Sequence, residues 1–389
     1  MKRLLIDLSY IASPQKTRES VAIYAFRFLE TIKASQLPFK ADLLVSADMV
    51  PYFRERFPQF EIVVYPSISK KIQRIPYIKG ILKMIKWKRF VNRLDYDAIY
   101  VPFSWSGNSL YTKAKKIITI HDLRPMRNLG RAFTDKWWFK LLNLDKIYLA
   151  TSKYFYTRHC LNSTKTIGIS NYVADDLKSV WPECAEKVVT IYNGVTLSTE
   201  EPIPISSLVN KPFILYVNTL VEYKNIITLI KAFAITRETH PNLKIAIVGK
   251  TTDYWTNVVK PEISHLGIDD SIIHLTYLSN QELLWAYKNA RIFVTTSIHE
   301  GFGYTPIEAA MCETPVISSR CESLPDVTAE KVYYYNPPMD YENLGTLMND
   351  ILENYPSHEK MIEIATFFQN RYNQIKHSKE IIALINDCI

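Results

Sequence analysis

Glu300 and Glu308 stand with seven residues between them, in the stretch His-Glu-Gly-Phe-Gly-Tyr-Thr-Pro-Ile-Glu-Ala-Ala that runs from 299 to 310. They enclose Gly301 and Gly303, in a chain of 389 residues that has only ten glycines. A carboxylate accepts two hydrogen bonds at once, which suits a vicinal diol such as that of a ribose or a hexose. Glycines let backbone approach a ligand closely. A helix starting near Thr305 would offer N–H groups and a partial positive charge to a phosphate. Two diol-binding carboxylates flanking an anion site describe a nucleotide sugar. A local reading uses the same residues: Thr305 with Glu308 three on matches a capping box, and Pro306 takes the first helical position, where its missing N–H costs nothing. The residues alone leave both readings open.

Positioning these groups requires strands that end where the loops begin. "KRLLIDLS", "ADLLVSA", "EIVVY", "DAIYVPF" and "KIITIHD" read as strands in the first half, and "FILYVN", "LKIAIVG", "IIHLTYL", "RIFVTTS" and "TPVISS" in the second. Amphipathic stretches alternate with them, as at 20–33, where Val21, Tyr24, Ala25, Phe28, Leu29 and Ile32 recur at helical spacing. Near-continuous apolar strands alternating with helices imply parallel sheets covered on both faces, an α/β chain. The Pro- and Ser-rich segment 197–212 has no period and marks a joint. The expected organisation is two doubly wound domains, 1–205 and 206–370, with a helix over 371–389 packing back towards the first. Ligands of such sheets bind outside the carboxyl ends of the strands, in the cleft such a pair makes.

Composition narrows the class. The chain is 47% hydrophobic and 22% charged, as a globular protein is. No apolar run reaches the roughly 18 residues of a spanning helix. The start, "MKRLLIDLSYIA", reads as a buried strand because Asp7 interrupts it and no small-residue cleavage site follows. The five cysteines lack paired metal-site spacing and read as buried thiols of a reducing cytosol. Net charge is +8, with 32 Lys+Arg against 18 Asp+Glu in 1–205 and 15 against 21 in 206–389. Such asymmetry suggests that the first half meets an anionic partner. No nucleic-acid motif accompanies the charge, so nucleic acid is not expected.

The run from Glu300 through Glu308-Ala309 to Thr314-Pro315-Val316-Ile317 resembles the retaining glycosyltransferases of family 4, and "SSRCESLPDV" at 318–327 looks like that family's next segment. The resemblance covers nearly the whole chain. It implies the GT-B fold of two facing Rossmann-like domains with an interdomain cleft. It also implies transfer of a hexose-type sugar from a UDP- or GDP-linked donor to a lipid-linked or growing surface glycan, with no cofactor and no metal. By resemblance, Glu300 positions the donor sugar and Glu308 the ribose. Gly301, Phe302 and the backbone from Gly303 through Tyr304 to Thr305 line the diphosphate with Lys224 and Thr219. Backbone around Tyr277 and Leu278 contacts the base, and His121, followed by Asp122, contacts the sugar ring.

Two departures stand out. Asn218 and Thr219 occupy places where the family often has Gly and Arg, so one expected cation is missing. The first loop, "SPQKTRESVAIYAF", has Ser20 and Ala22 in place of glycines, and Lys16 and Arg18 are nearby cations that could supply the charge. From Ile62 to Leu94 there is no acidic residue. Within it, Ile78, Ile81, Leu82 and Ile85 recur at helical spacing among Lys79, Lys83 and Lys86, with Trp87 close by, over a basic span of about 70–93. This reads as a membrane-surface element, placing the protein at the cytoplasmic face of an anionic membrane. A sugar-nucleotide epimerase of the same fold and a non-catalytic relative that only binds glycan, membrane or a partner transferase are the alternatives.

Overall fold

The computed structural model describes residues 1–33, 37–66, 76–104, 108, 110–123 and 144–389. It divides into two compact units, residues 1–194 with 374–389, and residues 195–373.

Among the described residues of the first unit, seven parallel strands form one sheet: β1 (Arg3–Asp7), β2 (Lys40–Ser46), β3 (Glu61–Tyr65), β4 (Ala98–Val101), β5 (Lys115–Ile120), β6 (Lys165–Gly168) and β7 (Val188–Thr190). Their order is β3-β2-β1-β4-β5-β6-β7, so the chain reverses its direction of travel between β1 and β4. Loops leaving those strands open at a switch point, where doubly wound sheets bind ligands. The helices are α1 (Ser20–Lys33), α2 (Val50–Arg56), α3 (Pro76–Val91), α4 (Leu144–Asn162) and α5 (Asn171–Val180). As the periodicity predicts, α1 buries Tyr24, Ala25, Phe28, Leu29 and Ile32.

A polar network ties Asn108 and Leu110, which follow β4, to β1 and β5. Asp7, at the end of β1, accepts from the Ser9 amide at 3.1 Å, the Ser9 hydroxyl at 2.5 Å and Asn108 Nδ2 at 3.1 Å. Lys116 Nζ donates to the main-chain oxygens of Asn108 and Leu110. Burial raises the Asp7 carboxyl above its usual value and brings the Lys116 ammonium down to about 7.

In the second unit, six parallel strands form the other sheet: β8 (Phe213–Val217), β9 (Lys244–Val248), β10 (Ile272–Leu275), β11 (Ile292–Thr295), β12 (Val316–Ser319) and β13 (Tyr333–Tyr335), in the order β10-β9-β8-β11-β12-β13. The helices are α6 (Ile226–Thr239), α7 (Lys260–His265), α8 (Asn280–Asn289), α9 (Tyr304–Met311), α10 (Leu324–Val327), α11 (Tyr341–Glu353) and α12 (His358–Arg371). Here the switch point lies between β8 and β11. The strand β13 had no signal, since three tyrosines at a sheet edge carry no alternation.

The helix α13 (Gln374–Cys388) belongs to the first unit, where Ile381, Ile385 and Cys388 join the core with Leu29 and Tyr100. The break between units falls at Gly194–Val195, earlier than the expected 205. Residues 197–212 are aperiodic but are part of the second unit, which buries Ile205 and Leu208. All five cysteines are free and buried. Among the described residues, no helix is long and apolar enough to cross a membrane.

The register of α3 corrects one expectation. Trp87 is 0% exposed and shares a buried stripe with Met84 and Val91, three and four residues to either side. It is a core residue and does not face outward. Leu82 and Ile85, of the stripe read as a membrane-surface element, are 37% and 38% exposed. Lys86 is half-buried, and the side chains of Lys79 and Lys83 lie outside the described residues, as do Lys70, Lys71 and Arg74. A helix with apolar residues at 78, 81, 82, 84, 85, 87 and 91 supports two stripes, and the bulk of Trp87 decides which one the core takes.

Candidate active site

The second unit brings Lys224 and Glu300 together at its switch point. Lys224 follows β8 in the short turn Glu222–Lys224, and Glu300 follows β11. Asn225, in left-handed backbone at φ 52°, turns the chain into α6 and anchors there through Nδ2 to the Pro338 carbonyl. The Lys224 carbonyl accepts from the Tyr216 hydroxyl at 3.0 Å and from Thr296 Oγ1 at 2.9 Å, which ties it to both flanking strands. Its ammonium closes on Glu300 Oε1, with the side chains 10% and 14% exposed. Ser297 Oγ donates to the same oxygen at 2.9 Å. Glu300 Oε2 makes no hydrogen bond with a described residue, which leaves one lone-pair face for a hydroxyl.

The helix α9 begins after this loop, and its start corrects the capping box. Its N-cap is Gly303, in left-handed backbone at φ 85°, and no side chain caps it. Thr305 already lies within the helix. Glu308 instead accepts from the Tyr287 hydroxyl at 3.0 Å. Burial, with the Glu308 charge adding to it, pushes the Tyr287 phenol far up, so it remains a donor. A capping box does exist one helix earlier, where Ser279 and Glu282 exchange bonds at the start of α8. Gly303 is required twice: its φ suits glycine, and a Cβ would lie 2.7 Å from Leu324 Cδ2. The Phe302 ring is buried against Tyr304 and Tyr372, so only its backbone is available to a ligand. Gly301, Tyr304 and Thr305 are half-buried.

Around β9 and β10, Gly249 admits the Asn218 carbonyl, which a Cβ would meet at 2.3 Å. Thr219 is exposed and gives its amide to Asn218 Oδ1 at 3.0 Å. Tyr277 is 76% exposed and Leu278 half-buried, so the loop after β10 presents backbone and an aromatic ring to solvent.

Sequence reasoning missed Glu322, a partner of Glu300. Glu322 Oε2 accepts from the Glu300 amide at 2.7 Å, and its Oε1 bonds His299 Nδ1 at 2.9 Å. Nothing in residue type or spacing links a glutamate 22 positions away to that amide. Among the described residues, no group of three His, Cys, Asp or Glu side chains could hold a metal ion.

In the first unit, His121 follows β5 and is half-buried. Its Nε2 bonds the Pro102 carbonyl at 2.9 Å, so Nε2 carries the proton. Burial lowers its pKa, against the pull of that carbonyl and of Asp122, and the ring is neutral near pH 7. Tyr24 meets His121 edge-on at 4.9 Å and His377 of α13 at 5.4 Å. His377 Nδ1 donates to the Tyr192 carbonyl at 2.7 Å, and burial holds its pKa at about 4. Lys16 Nζ sits over the Tyr10 ring at 3.5 Å, and the Tyr10 hydroxyl donates to Glu19. Arg18 ends the same short turn, its side chain outside the described residues, and exposed Ser20 opens α1.

Residues 31–199 match the family described as Glycosyltransferase Family 4, and residues 199–366 match Glycosyl transferases group 1. Together the two matches span residues 31–366, so the chain belongs by sequence to glycosyltransferase family 4. Its relatives include an O-antigen chain mannosyltransferase, RfbU, from Salmonella typhimurium, 29% identical over 57% of this chain and 56% of the relative. Another is O-antigen chain mannosyltransferase B from Escherichia coli, 27% identical over 47% of each. The chain thus spans about half the length of these curated relatives. Over the full length of both chains it is similar in structure to Anabaena HepE in complex with UDP and glucose, with a TM-score of 0.69 and 14% identity. Sucrose-phosphate synthase from Thermosynechococcus elongatus gives 0.70 at 17% identity, over 100% of this chain and 99% of that one. These likenesses establish the α/β GT-B architecture.

Proposed function

We propose that this chain transfers a hexose from a UDP- or GDP-linked donor to a lipid-linked or growing surface glycan, with retention at the anomeric carbon and no divalent metal. The observation that carries the reading is the Lys224–Glu300 pair at the switch point of the second unit, next to the uncapped start of α9. In the free protein the two charges satisfy each other. A donor separates their tasks: the diphosphate draws the Lys224 ammonium, and Glu300 turns its carboxylate to a hexose hydroxyl. Glu308, held by Tyr287, takes the ribose diol.

In the reaction the bond from C1 to the diphosphate oxygen breaks, the acceptor oxygen bonds C1, and the departing phosphate takes the acceptor's proton. Charge develops on the diphosphate, where Lys224 and the α9 amides stabilise it. Neutral His121 offers Nδ1 or its carbonyl to the sugar without placing a cation near a cationic ring. The names of the relatives, O-antigen mannosyltransferases, and of a neighbour seen with UDP and glucose, support the reaction class and the acceptor. Leu82, Ile85 and exposed Arg89 on the outer face of α3, in a stretch free of acids, support reversible attachment to an anionic membrane.

A thermal-shift panel of UDP, GDP and their hexose conjugates tests the donor, followed by donor turnover without acceptor. Slow release of free hexose is expected. An altered hexose still attached to nucleotide would mean an epimerase, and binding without turnover would mean a glycan- or nucleotide-binding relative.

A further inference from the structure

Glu322 stands in left-handed backbone at φ 44°, a conformation that glycine adopts without strain and a side chain with a Cβ adopts at a cost. Other non-glycine residues share that region among the described residues, but in other settings. Asn210 and Asn225 are of a type that tolerates it, and Glu330 sends its carboxylate outward to Arg320. Glu322 turns both oxygens inward, with a side chain 14% exposed.

A carboxylate can only accept, so the Glu300 amide and His299 Nδ1–H are the donors. Next to it, Ser323 Oγ donates to the Glu300 carbonyl at 2.8 Å. The main chain of Glu300 is thus gripped at its N–H and its C=O by consecutive residues of the loop after β12. Further bonds run the same way: the Ser297 carbonyl accepts from Ser319 Oγ at 2.5 Å and from Cys321 Sγ at 2.8 Å. Ser297 in turn holds Glu300 Oε1. Backbone and carboxylate of Glu300 are fixed from separate directions, and the oxygen left open is Oε2.

We infer that Glu322 is a positioning residue for the transfer: it fixes Glu300 through its amide and His299 through its ring, and so sets the pose in which Glu300 meets the donor hexose. The strained backbone persists because the carboxylate is needed there. The ring of His299 is held with Nδ1 donating to Glu322 Oε1. This rests on the donor reading proposed above. A displacement of the carboxylate by about 1 Å is enough to reduce turnover by about 100-fold.

The test is Glu322→Gly, which suits the backbone and removes the carboxylate with its two-carbon stem, with Glu330→Gly as a control of like backbone. The variant should remain folded, with Tm within a few degrees of wild type. Exchange of the Glu300 amide should accelerate at least about tenfold. Turnover of UDP-glucose or GDP-mannose should fall at least about tenfold, with the Kd for UDP or GDP within about twofold of wild type. A merely structural residue would move both constants together, and Glu330→Gly should move neither. Should Glu322→Gly not fold, Glu322→Gln carries the test, since it keeps one acceptor oxygen and should lose part of both effects. Unchanged protection of the Glu300 amide, or unchanged turnover, overturns the inference. A wild type that binds none of these four nucleotides while its Glu300 amide still depends on Glu322 overturns the donor reading instead, and leaves Glu322 a clamp without a reaction.

Discussion

The ammonium of Lys224 meets the carboxylate of Glu300 across β8 and β11, two strands adjacent in the sheet but separated in the chain by β9, β10 and the helices α6, α7 and α8. Removing either charge strands the other in a nearly closed site. Lys224→Ala should cost about 2–3 kcal/mol of stability, because the Glu300 charge is left without its partner. Combining it with Glu300→Gln should recover much of that loss. Each single variant should reduce turnover about 100-fold, the usual effect of removing one group that stabilises developing charge. Thermal melts and steady-state kinetics read both, and wild-type turnover in either variant would remove the pair from the reaction.

Gly303 and Thr305 make opposite predictions about the start of α9. Gly303→Ala meets Leu324 and forces an unfavourable φ, so it should lose about 2 kcal/mol or more. Thr305→Ala should change stability by less than about 0.5 kcal/mol, since no cap is lost. A large loss at Thr305 would restore the capping-box reading.

Tyr287→Phe removes a buried hydrogen bond to a carboxylate, worth about 1.5–3 kcal/mol. It also frees Glu308 to leave the pose in which it would take a ribose. Nucleotide affinity should fall about tenfold with kcat little changed. Calorimetry with UDP and GDP checks this, and an unaltered Kd for the nucleotide that binds would separate Glu308 from the ribose.

Acid should loosen the first unit through His377. Its folded pKa is about 4 against an ordinary 6.5, so between these values the unfolded chain holds the extra proton. Stability therefore rises with pH across that window. Buried Asp7, with its pKa raised, works the other way from about 3.8 upward, so the difference between wild type and His377→Gln is the clean measure. That difference should widen by on the order of 3 kcal/mol from pH 4 to 6.5. Lys116 adds the same sign between about 7 and 10.5. Parallel stability curves for wild type and His377→Gln would refute the assignment.

On α3, Trp87→Ala should cost about 3–5 kcal/mol, as loss of a buried aromatic does. Leu82→Ser with Ile85→Ser should leave the fold intact and reduce sedimentation with anionic liposomes, as should Lys79→Glu with Lys83→Glu. Equal sedimentation of wild type and all variants would end the membrane proposal.

The strands were legible because both faces of each sheet are covered, so β1, β2, β8 and β9 read as unbroken apolar runs. Lys224 and Glu300 lie in the loops that follow two such runs and His121 directly follows a third, but it was the resemblance, and no spacing of their own, that singled out Lys224 and His121. Glu322 was not: its role depends on the pairing of β11 with β12, a relation between distant segments that no local spacing encodes. The Thr305–Glu308 spacing misled because Gly303 starts the helix two residues early and turns Glu308 towards Tyr287. The α3 stripe misled because two apolar faces compete on one helix.

The return of α13 to the first unit also orders the protein's birth. Residues 195–373 form a continuous unit that can close as soon as they leave the ribosome. The sheet begun by β1 must wait, its core lacking Ile381 and Ile385 until everything between has been synthesised. The earliest-made half is therefore finished last, and during that interval its apolar surface is what a chaperone would find.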